Sequence, residues 1–314
     1  MKVAVTGADG FIGQRACEQL ASHGHEVRRL VRGKNGLGSD RYIVGTAAGA
    51  EAQFEAMQGV DCVVHLAGRA HVLEKVDAAA ELAFQQVNVH LTRELAEHAI
   101  RAGVRRFVFV SSIGVNGPST SGRPFSEADP ARPTDAYAKS KLAAERELLA
   151  LAGERALELV IVRPPLVYGP GAKGNLLRMV KLAASGVPLP LALVKNRRNL
   201  VGLDNLCAAL VLCAEHPAAA GETFLVAEPE VRSTPEILSA LYSGLGRPSR
   251  LFPMPIFVLR AGARLVGRGT EFHKMCSSLE VDSSKAMHLL GWRPRPSFSH
   301  DMESVARSYL ERST

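Results

Sequence analysis

A phenol and an ammonium group stand four residues apart in the run Tyr137-Ala138-Lys139-Ser140-Lys141. On an α-helix, side chains at positions i and i+4 lie on the same face, so a helix here would bring the two groups together. A nearby lysine cation favours the phenolate and lowers the pKa of a tyrosine toward neutrality. The pair therefore predicts a proton-transfer site with Tyr137 and Lys141 as catalytic residues. Because such a pair also arises by chance, its interpretation depends on the rest of the chain.

Three glycines follow the first apolar stretch of the chain. Lys2–Thr6 is predicted to be a strand, a helical run begins near residue 14, and the glycines lie between them at positions 7, 10 and 13. A glycine-rich turn from a strand into a helix lets the backbone approach a pyrophosphate, which the helix N-terminus then binds. This turn predicts a dinucleotide cofactor bound by Gly7, Gly10, Phe11, Ile12 and Gly13.

Strands and helical runs alternate through the first half of the chain. Apolar strands are predicted at 26–31, 42–44, 62–68 and 106–110, with a short helix at 51–57 and a long one at 78–102. This order predicts an α/β fold with a Rossmann-like, doubly wound parallel sheet, in which ligands bind at the carboxyl ends of the strands. At two such ends we expect Ser112 to share a site with Tyr137, and the cofactor to contact Leu66, Ala67, Gly68 and Ser111.

The second strand carries arginines where a dinucleotide fold usually has an acid for the ribose hydroxyl. The candidates are Arg28, Arg29 and Arg32. A guanidinium group can pair with a ribose phosphate, so the cofactor is predicted to be NAD(P)H with a preference for NADP(H), bound by Arg32. The alternative is that these arginines form only a solvated rim.

Composition restricts the class of protein. The 314 residues are 46% hydrophobic, which suffices for a large core, and no apolar run reaches the ~20 residues that a membrane span needs. The net charge of +7 comes from scattered cations rather than a basic arm, so we expect an anionic small molecule and not nucleic acid. The five cysteines lack metal-site spacing, and because the first predicted strand starts at residue 2, we expect no signal peptide. We expect a cytoplasmic protein that uses no metal.

Together these motifs resemble the extended short-chain dehydrogenase/reductase superfamily, in its NAD-dependent epimerase/dehydratase branch. The resemblance extends over the whole chain and rests on the three glycines, His65-Leu66-Ala67-Gly68, Ser111-Ser112, Tyr137-x-x-x-Lys141, Arg163-Pro164-Pro165-Leu166-Val167-Tyr168-Gly169-Pro170 and Leu290-Gly291-Trp292-Arg293-Pro294. It implies that Tyr137 is the general acid/base, that Ser112 orients the reacting oxygen, and that Lys141 binds the nicotinamide ribose. It also implies that the backbone from Pro164 to Val167 lines the nicotinamide. The chain departs from the family pattern at Val31-Arg32 and at Gly45-Thr46, where relatives carry acids.

The resemblance also implies two domains and a substrate class. We expect a Rossmann domain at 1–171 with a returning segment near 200–226, and a smaller, mostly C-terminal α/β substrate domain at 172–314. Asn175 and Arg198 resemble contacts to the diphosphate of a UDP-sugar, whereas Lys173 and Arg197 are equally well explained as solvated cations. The resemblance also implies a homodimer. The apolar stretch at 252–266 is predicted to be a packed helix or a dimer face rather than a membrane-surface helix.

Further runs are similar to bacterial reductases of UDP-4-keto-6-deoxy-N-acetylhexosamines, which serve surface polysaccharide biosynthesis. They are Ala67-Gly68-Arg69-Ala70-His71-Val72, Val187-Pro188-Leu189-Pro190-Leu191 and Asn196-Arg197-Arg198-Asn199-Leu200-Val201. The expected reaction is reduction at C4 of the sugar, with Tyr137 donating the proton. The first alternative is a UDP-hexose 4-epimerase with tightly bound NAD. A dehydratase is less well supported, because this chain has Ile113-Gly114 where an acidic pair would be needed to remove water. A non-catalytic NADP-binding sensor is also less well supported, because it would not need the tyrosine-lysine pair.

Overall fold

The computed structural model describes residues 1–31, 41–43, 49–70, 78–265, 267 and 269–312. The strands of this part of the chain are β1 (Lys2–Thr6), β2 (Glu26–Val31), β3 (Arg41–Ile43), β4 (Cys62–His65), β5 (Arg106–Val110), β6 (Glu158–Arg163), β7 (Leu166–Tyr168), β8 (Arg198–Gly202), β9 (Thr223–Leu225) and β10 (Val231–Arg232).

The helices within the same residues begin and end as follows: α1 (Phe11–Ser22), α2 (Ala50–Glu55), α3 (Ala78–Phe84), α4 (Leu91–Arg101), α5 (Ala136–Glu154), α6 (Gly174–Ala184), α7 (Leu203–Glu215), α8 (Thr234–Gly244), α9 (Ile256–Leu265), α10 (Gly269–Cys276), α11 (Ser284–Leu289) and α12 (Phe298–Glu311).

The larger sheet of the described residues has seven parallel strands in the order β3-β2-β1-β4-β5-β6-β9. The chain runs outward from β1 to one edge and then returns to the other side of β1 through β4. The carboxyl ends of β1 and β4 therefore flank the point where the strand order reverses, which is where ligands bind in such sheets. The predicted Rossmann-like fold is confirmed.

Both faces of this sheet are buried. On one face Val3, Val5, Val64 and Val108 pack with α1 and α7. On the other face the alternate strand residues, such as Phe107 and Ile161, pack with α4 and α5. Continuous apolar strands result because parallel strands covered by helices on both sides have no solvent-facing position.

The predicted helix at 78–102 is interrupted. Between α3 and α4 the backbone forms a π-helical turn, Gln85–His90, which contains the fully buried Asn88. Short π-turns inside helices are frequent at functional sites. The interruption corrects the prediction of one continuous helix, because apolar periodicity does not reveal a one-residue insertion in the helical hydrogen-bond ladder.

A smaller sheet, β10-β8-β7, packs with α6, α8 and α12 around Tyr168, Leu176 and Leu241. Near the C-terminus, the chain returns to the larger sheet: Trp292 is 1% exposed in that sheet's core, and its Nε1 donates to the Asn205 carbonyl at 3.0 Å. The domain boundaries at 171 and 172 remain a prediction. None of the helices in the described ranges is long and apolar enough to cross a bilayer.

Candidate active site

Helix α5 positions the tyrosine-lysine pair. Asp135 caps the helix, because its side chain accepts a hydrogen bond from the Ala138 N–H at 2.9 Å. Capping fixes the first helical turn, which contains Tyr137, and Lys141 follows one turn later. The predicted helix and its register are therefore present.

Lys141 is buried at the carboxyl end of β5. Its Nζ donates to the Val110 carbonyl at 2.9 Å and lies 4.5 Å from the centroid of the Phe109 ring. Burial lowers the pKa of Lys141 to about 8, while the Glu145 carboxylate acts in the opposite direction. The ammonium group uses one of its three hydrogens on Val110, so two remain for a ligand.

Gly68, at the end of β4, lies directly against this ammonium group. A Cβ atom at position 68 would lie 3.2 Å from Asn88 Oδ1 and 3.4 Å from Lys141 Nζ. The structure therefore brings the loop after β4, the end of β5 and the second turn of α5 together, and with them Gly68 and Lys141, which were both predicted to bind the cofactor.

Asn88 connects this site to the backbone of α5. Its Oδ1 accepts from the Arg69 N–H at 2.7 Å, and its Nδ2 donates to the Arg69 carbonyl and to Ser140 Oγ. Ser140 Oγ in turn donates to the Tyr137 carbonyl at 2.7 Å. Sequence reasoning assigned Asn88 no role, although an amide inside an apolar helical run was the available signal.

Tyr137 is half-buried, with its ring 6.2 Å from the ring of Phe84. Burial is the larger effect that raises the pKa of Tyr137 to about 12, and the negative charge of Asp135 adds to it. The expectation that Lys141 would lower this pKa is wrong for this arrangement. The lysine Nζ instead donates to the Val110 carbonyl, and the two effects that act on the Tyr137 pKa, burial and the Asp135 charge, both raise it.

Ser112 lies in a tight turn next to α5. Its Oγ accepts from the Gly114 N–H at 3.2 Å, which begins a 3₁₀ turn, Ile113–Val115. A Cβ atom at position 114 would lie 3.2 Å from the Ala138 Cβ and 3.4 Å from Ser112 Oγ. The turn thus packs against the residue that follows Tyr137, and a side chain at 114 would require Ala138 or Ser112 to shift by a few tenths of an ångström.

Pro164 holds the same turn from the other side, since its carbonyl accepts from the Ile113 N–H at 3.0 Å. Val167 is half-buried in a small apolar cluster that also contains Phe11, Ile12 and Leu66. Four residues predicted to contact the cofactor, drawn from three distant parts of the chain, are therefore neighbours.

The glycine turn brings three backbone segments into close contact. Gly7 has a φ of +67°, and a Cβ there would lie 2.9 Å from the Ala67 nitrogen. A Cβ at Gly13 would lie 2.1 Å from the Gly7 carbonyl oxygen, so no side chain fits there. Helix α1 begins after Gly10 with no side-chain cap and no acid in its first turn, which leaves its positive end open to an anion.

His65 anchors the loop that follows β4. Thr6 Oγ1 accepts from the Leu66 and Ala67 N–H groups, both at 3.1 Å, so its own hydrogen points to His65 Nδ1 at 2.8 Å. His65 Nε2 must then carry the ring hydrogen and donate to Thr92 Oγ1 at 2.9 Å. Burial, with a smaller effect of the Lys141 charge, lowers the pKa of His65 to about 3.

The arginines of β2 only partly fit the predicted role. Arg28 Nη1 donates to the carbonyls of Ala56 and Gln58 at 3.0 and 2.9 Å, so this candidate is used within the protein. Arg29 is half-buried. Arg32, Gly45-Thr46 and His71 lie outside the described residues.

The predicted substrate contacts lie further away in the chain. Asn175 is exposed in the first turn of α6. Arg198 Nη1 donates to the carbonyls of Lys274 and Ser277 at 2.6 and 3.2 Å, and burial lowers its pKa. Its Nη1 group thus binds carbonyls at the C-terminal end of α10. The flanking Asn196 and Asn199 donate to the carbonyls of Met275 and Glu228, which holds β8 and the residues before it in place.

A profile of the NAD dependent epimerase/dehydratase family matches residues 3–227. The chain belongs to this family. A relative from Vibrio cholerae, described as a UDP-glucose 4-epimerase, is 35% identical, and the alignment covers 98% of this chain and 95% of the relative. A ceramide reductase from Caulobacter vibrioides is 32% identical, covering 93% and 86%. The solved dTDP-glucose 4,6-dehydratase of Streptomyces venezuelae, which holds NAD, has a TM-score of 0.79 at 25% identity and covers 99% and 97%.

The residues of this epimerase/dehydratase family member fit a dinucleotide. The glycine turn provides a backbone surface without side chains beside the open end of α1. Ser111 Oγ is buried and has no hydrogen-bond partner in the described part of the chain. A buried hydroxyl without a partner is costly, which fits a ligand contact at this strand end.

Proposed function

We propose that this protein is an NAD(P)-dependent oxidoreductase that reduces the C4 ketone of a UDP-4-keto-6-deoxy-N-acetylhexosamine for surface polysaccharide biosynthesis. The observation that carries the proposal is the meeting of α5, Gly68 and the Ser112 turn at the ends of β4 and β5. In the proposed reaction, the phenol of Tyr137, the hydroxyl of Ser112 and the ammonium group of Lys141 act around one reacting centre.

Tyr137 is the proposed proton donor. With a pKa raised to about 12, its phenol is protonated at neutral pH and can give its hydrogen to an oxygen that becomes negatively charged. Ser112 Oγ already accepts from the Gly114 N–H, so its own hydrogen is available to the same oxygen. Two donors aimed at one oxygen favour the alkoxide over the ketone.

Lys141 is proposed to bind ribose hydroxyls with its two remaining hydrogens and to place a positive charge in a buried site. A bound nicotinamide would supply the hydride. The residues that would hold it are the glycine turn with Phe11 and Ile12, the segment 66–68, Ser111, Pro164 and Val167. We further propose that Arg32 selects NADP(H) and that Asn175 and Arg198 contact the diphosphate of the substrate. A homodimer and a cytoplasmic location are also part of the proposal.

A UDP-hexose 4-epimerase is the second candidate, and the relative from Vibrio cholerae favours it. In that reaction Tyr137 must first accept a proton from the sugar and later return one. The raised pKa of Tyr137 suits the donating half better than the accepting half.

A paired assay separates the candidates. Purified protein is mixed with UDP-4-keto-6-deoxy-N-acetylglucosamine and NADPH or NADH, and separately with UDP-glucose or UDP-N-acetylglucosamine without added cofactor. Stoichiometric loss of nicotinamide absorbance with the keto sugar would support the reductase. Conversion of UDP-glucose or UDP-N-acetylglucosamine to its C4 epimer, without loss of nicotinamide absorbance, would establish the epimerase instead.

Tyr137→Phe tests the proton donor. We expect a loss of turnover of about 10²- to 10⁴-fold, because the phenyl ring keeps the packing and removes the acid. Tyr309→Phe, in α12, is the control and should keep wild-type turnover. Full activity of Tyr137→Phe in either assay would show that another group moves the proton.

A further inference from the structure

Helix α9 presents its apolar side to solvent. Phe257, Ala261 and Leu265 recur every four residues and form one stripe, in which Phe257 is 73% and Leu265 is 88% exposed. The side facing the protein carries Leu259 and Ala263, which are only half-buried. None of the helix residues from 256 to 265 is buried, which corrects the prediction of a packed helix for this stretch. An amphipathic helix that only packed on the protein would have the reverse orientation.

A neighbouring segment extends this surface. The Leu189 N–H donates to the Arg250 carbonyl and the Ala192 N–H to the Phe252 carbonyl, which joins 187–193 to the start of the α9 region. Seven of the twelve large exposed hydrophobic side chains in the described ranges lie on these two segments, namely Val187, Leu193, Phe252, Ile256, Phe257, Val258 and Leu265. We call this set the apolar face.

The surroundings of the apolar face are basic. The sequence has no Asp or Glu between Glu158 and Asp204, or between Glu236 and Glu271, and both segments of the face lie inside these intervals. Exposed cations there include Lys195, Arg250 and, on α9 itself, Arg260 and Arg264. A second copy of the same face would place cations against cations, which disfavours self-association.

We propose that the apolar face docks on an anionic phospholipid bilayer, with α9 lying in the plane of the headgroups. Exposed Phe, Leu and Ile side chains would enter the acyl boundary, and the arginines would contact lipid phosphates, as in interfacial amphipathic helices. At ten residues, α9 is about 15 Å long, so it can lie on a bilayer but not cross it.

Docking would place the active site close to the membrane. Arg260 and Arg264 line a groove with Phe272 and His273 of α10. The next residue of α10, Lys274, contacts Asp135 with its Nζ at 3.1 Å, and Asp135 caps the helix that carries Tyr137. This inference concerns binding and does not depend on which sugar is reduced.

Co-sedimentation with vesicles tests the proposal. The full chain is spun with vesicles of phosphatidylcholine alone and of phosphatidylcholine with phosphatidylglycerol, at low and high salt. We expect the protein to bind the mixed vesicles, and high salt to weaken this binding. The double variant Phe257→Ser/Leu265→Ser should bind at least about tenfold more weakly, because two apolar anchors are lost.

Two further variants make the result specific. Leu82→Ser/Leu149→Ser removes two exposed hydrophobic side chains on α3 and α5 and should bind like wild type. Arg260→Gln/Arg264→Gln should lose the preference for phosphatidylglycerol. The proposal is overturned if wild type does not bind, if Phe257→Ser/Leu265→Ser binds as well as wild type, or if that variant instead turns a dimer into a monomer in the absence of vesicles.

Discussion

His65 shows how a single buried side chain can position a ligand-binding loop. Its ring lies between Thr6 and Thr92, and Thr6 holds the N–H groups of Leu66 and Ala67. Both ring nitrogens have a partner only when the ring is neutral with its hydrogen on Nε2. Protonation would therefore break the bond from Thr6 and place a second charge near Lys141.

The neutral ring makes stability depend on pH. The pKa of His65 is about 3 in the folded protein and 6.5 in the ordinary case, so below 6.5 the unfolded chain binds a proton that the folded chain does not. The stability that depends on the neutral His65 ring is fully present above pH 6.5 and is lost as the pH falls toward 3. Between pH 7 and pH 5 the loss is about 2 kcal/mol of unfolding free energy.

His65→Gln isolates this effect, since an amide can accept from Thr6 and donate to Thr92 without titrating. Urea denaturation at pH 7 and pH 5 measures it. We expect the variant to lose about 2 kcal/mol less than wild type between the two pH values. Equal losses in both proteins would show that His65 titrates normally in the folded state.

At this scale the sequence predicted reacting groups but not their supports. Tyr137, Lys141 and Gly68 come from local patterns, such as a helical spacing or a strand ending in small residues. Asn88 and His65 act through partners far along the chain: Asn88 bonds to Ser140, 52 residues away, and His65 to Thr6, 59 residues away. No local pattern indicates which distant partner a buried polar side chain will find. For the same reason, the direction of the Tyr137 pKa shift could not be read from its spacing to Lys141.

The helix and strand elements followed from periodicity with few exceptions. Strands β1 to β5 lie at or within three residues of their predicted bounds because continuous apolar runs of this length suit a doubly covered sheet, whereas β6 and β9 were not predicted. The π-turn Gln85–His90 was not predicted either, and Asn88 within it bonds to the loop after β4. A tertiary contact decided the local geometry there.

The close approach of helix α1 to the loop after β1 can be tested by substitution. In Gly13→Ala, the new methyl group would lie 2.1 Å from the Gly7 carbonyl, so α1 must move away from the loop. We expect dinucleotide affinity to fall at least about tenfold and stability to fall by roughly 1–3 kcal/mol. Titration with NADH and NADPH, together with urea denaturation, measures both.

Gly153→Ala is the matched control, because Gly153 also lies in a helix but has no atom within 4 Å of the added methyl group. It should keep its affinity and gain up to ~1 kcal/mol of stability from the better helix former. If Gly13→Ala behaved like Gly153→Ala, the close approach of α1 to the loop would not exist in solution.

For the whole molecule, the side chain of Glu228 links the two sheets. Glu228 follows β9 of the larger sheet, and its side chain accepts hydrogen bonds from Tyr168 Oη at 2.6 Å, the Gly202 N–H at 2.8 Å and Asn205 Nδ2 at 2.6 Å. These donors belong to β7, to β8 and to α7. The sequence predicted a returning segment near 200–226, but it gave no sign that Glu228 joins it to the smaller sheet.

Glu228→Gln tests whether this carboxylate joins the two sheets. The amide keeps the shape but loses the charge, and its NH₂ group meets donors, so we expect the unfolding free energy to fall by about 2 kcal/mol. Trp292, the single tryptophan, lies in the core of the larger sheet and reports unfolding by its fluorescence.

Glu230→Gln is the control, because Glu230 pairs with Arg232 near the surface, and its substitution should change stability by less than ~0.5 kcal/mol. We expect the Glu228→Gln urea midpoint to fall well below that of Glu230→Gln, with the fluorescence and circular dichroism transitions still coinciding. Equal midpoints for the two variants would mean that the Glu228 carboxylate does not contribute measurably to joining the sheets.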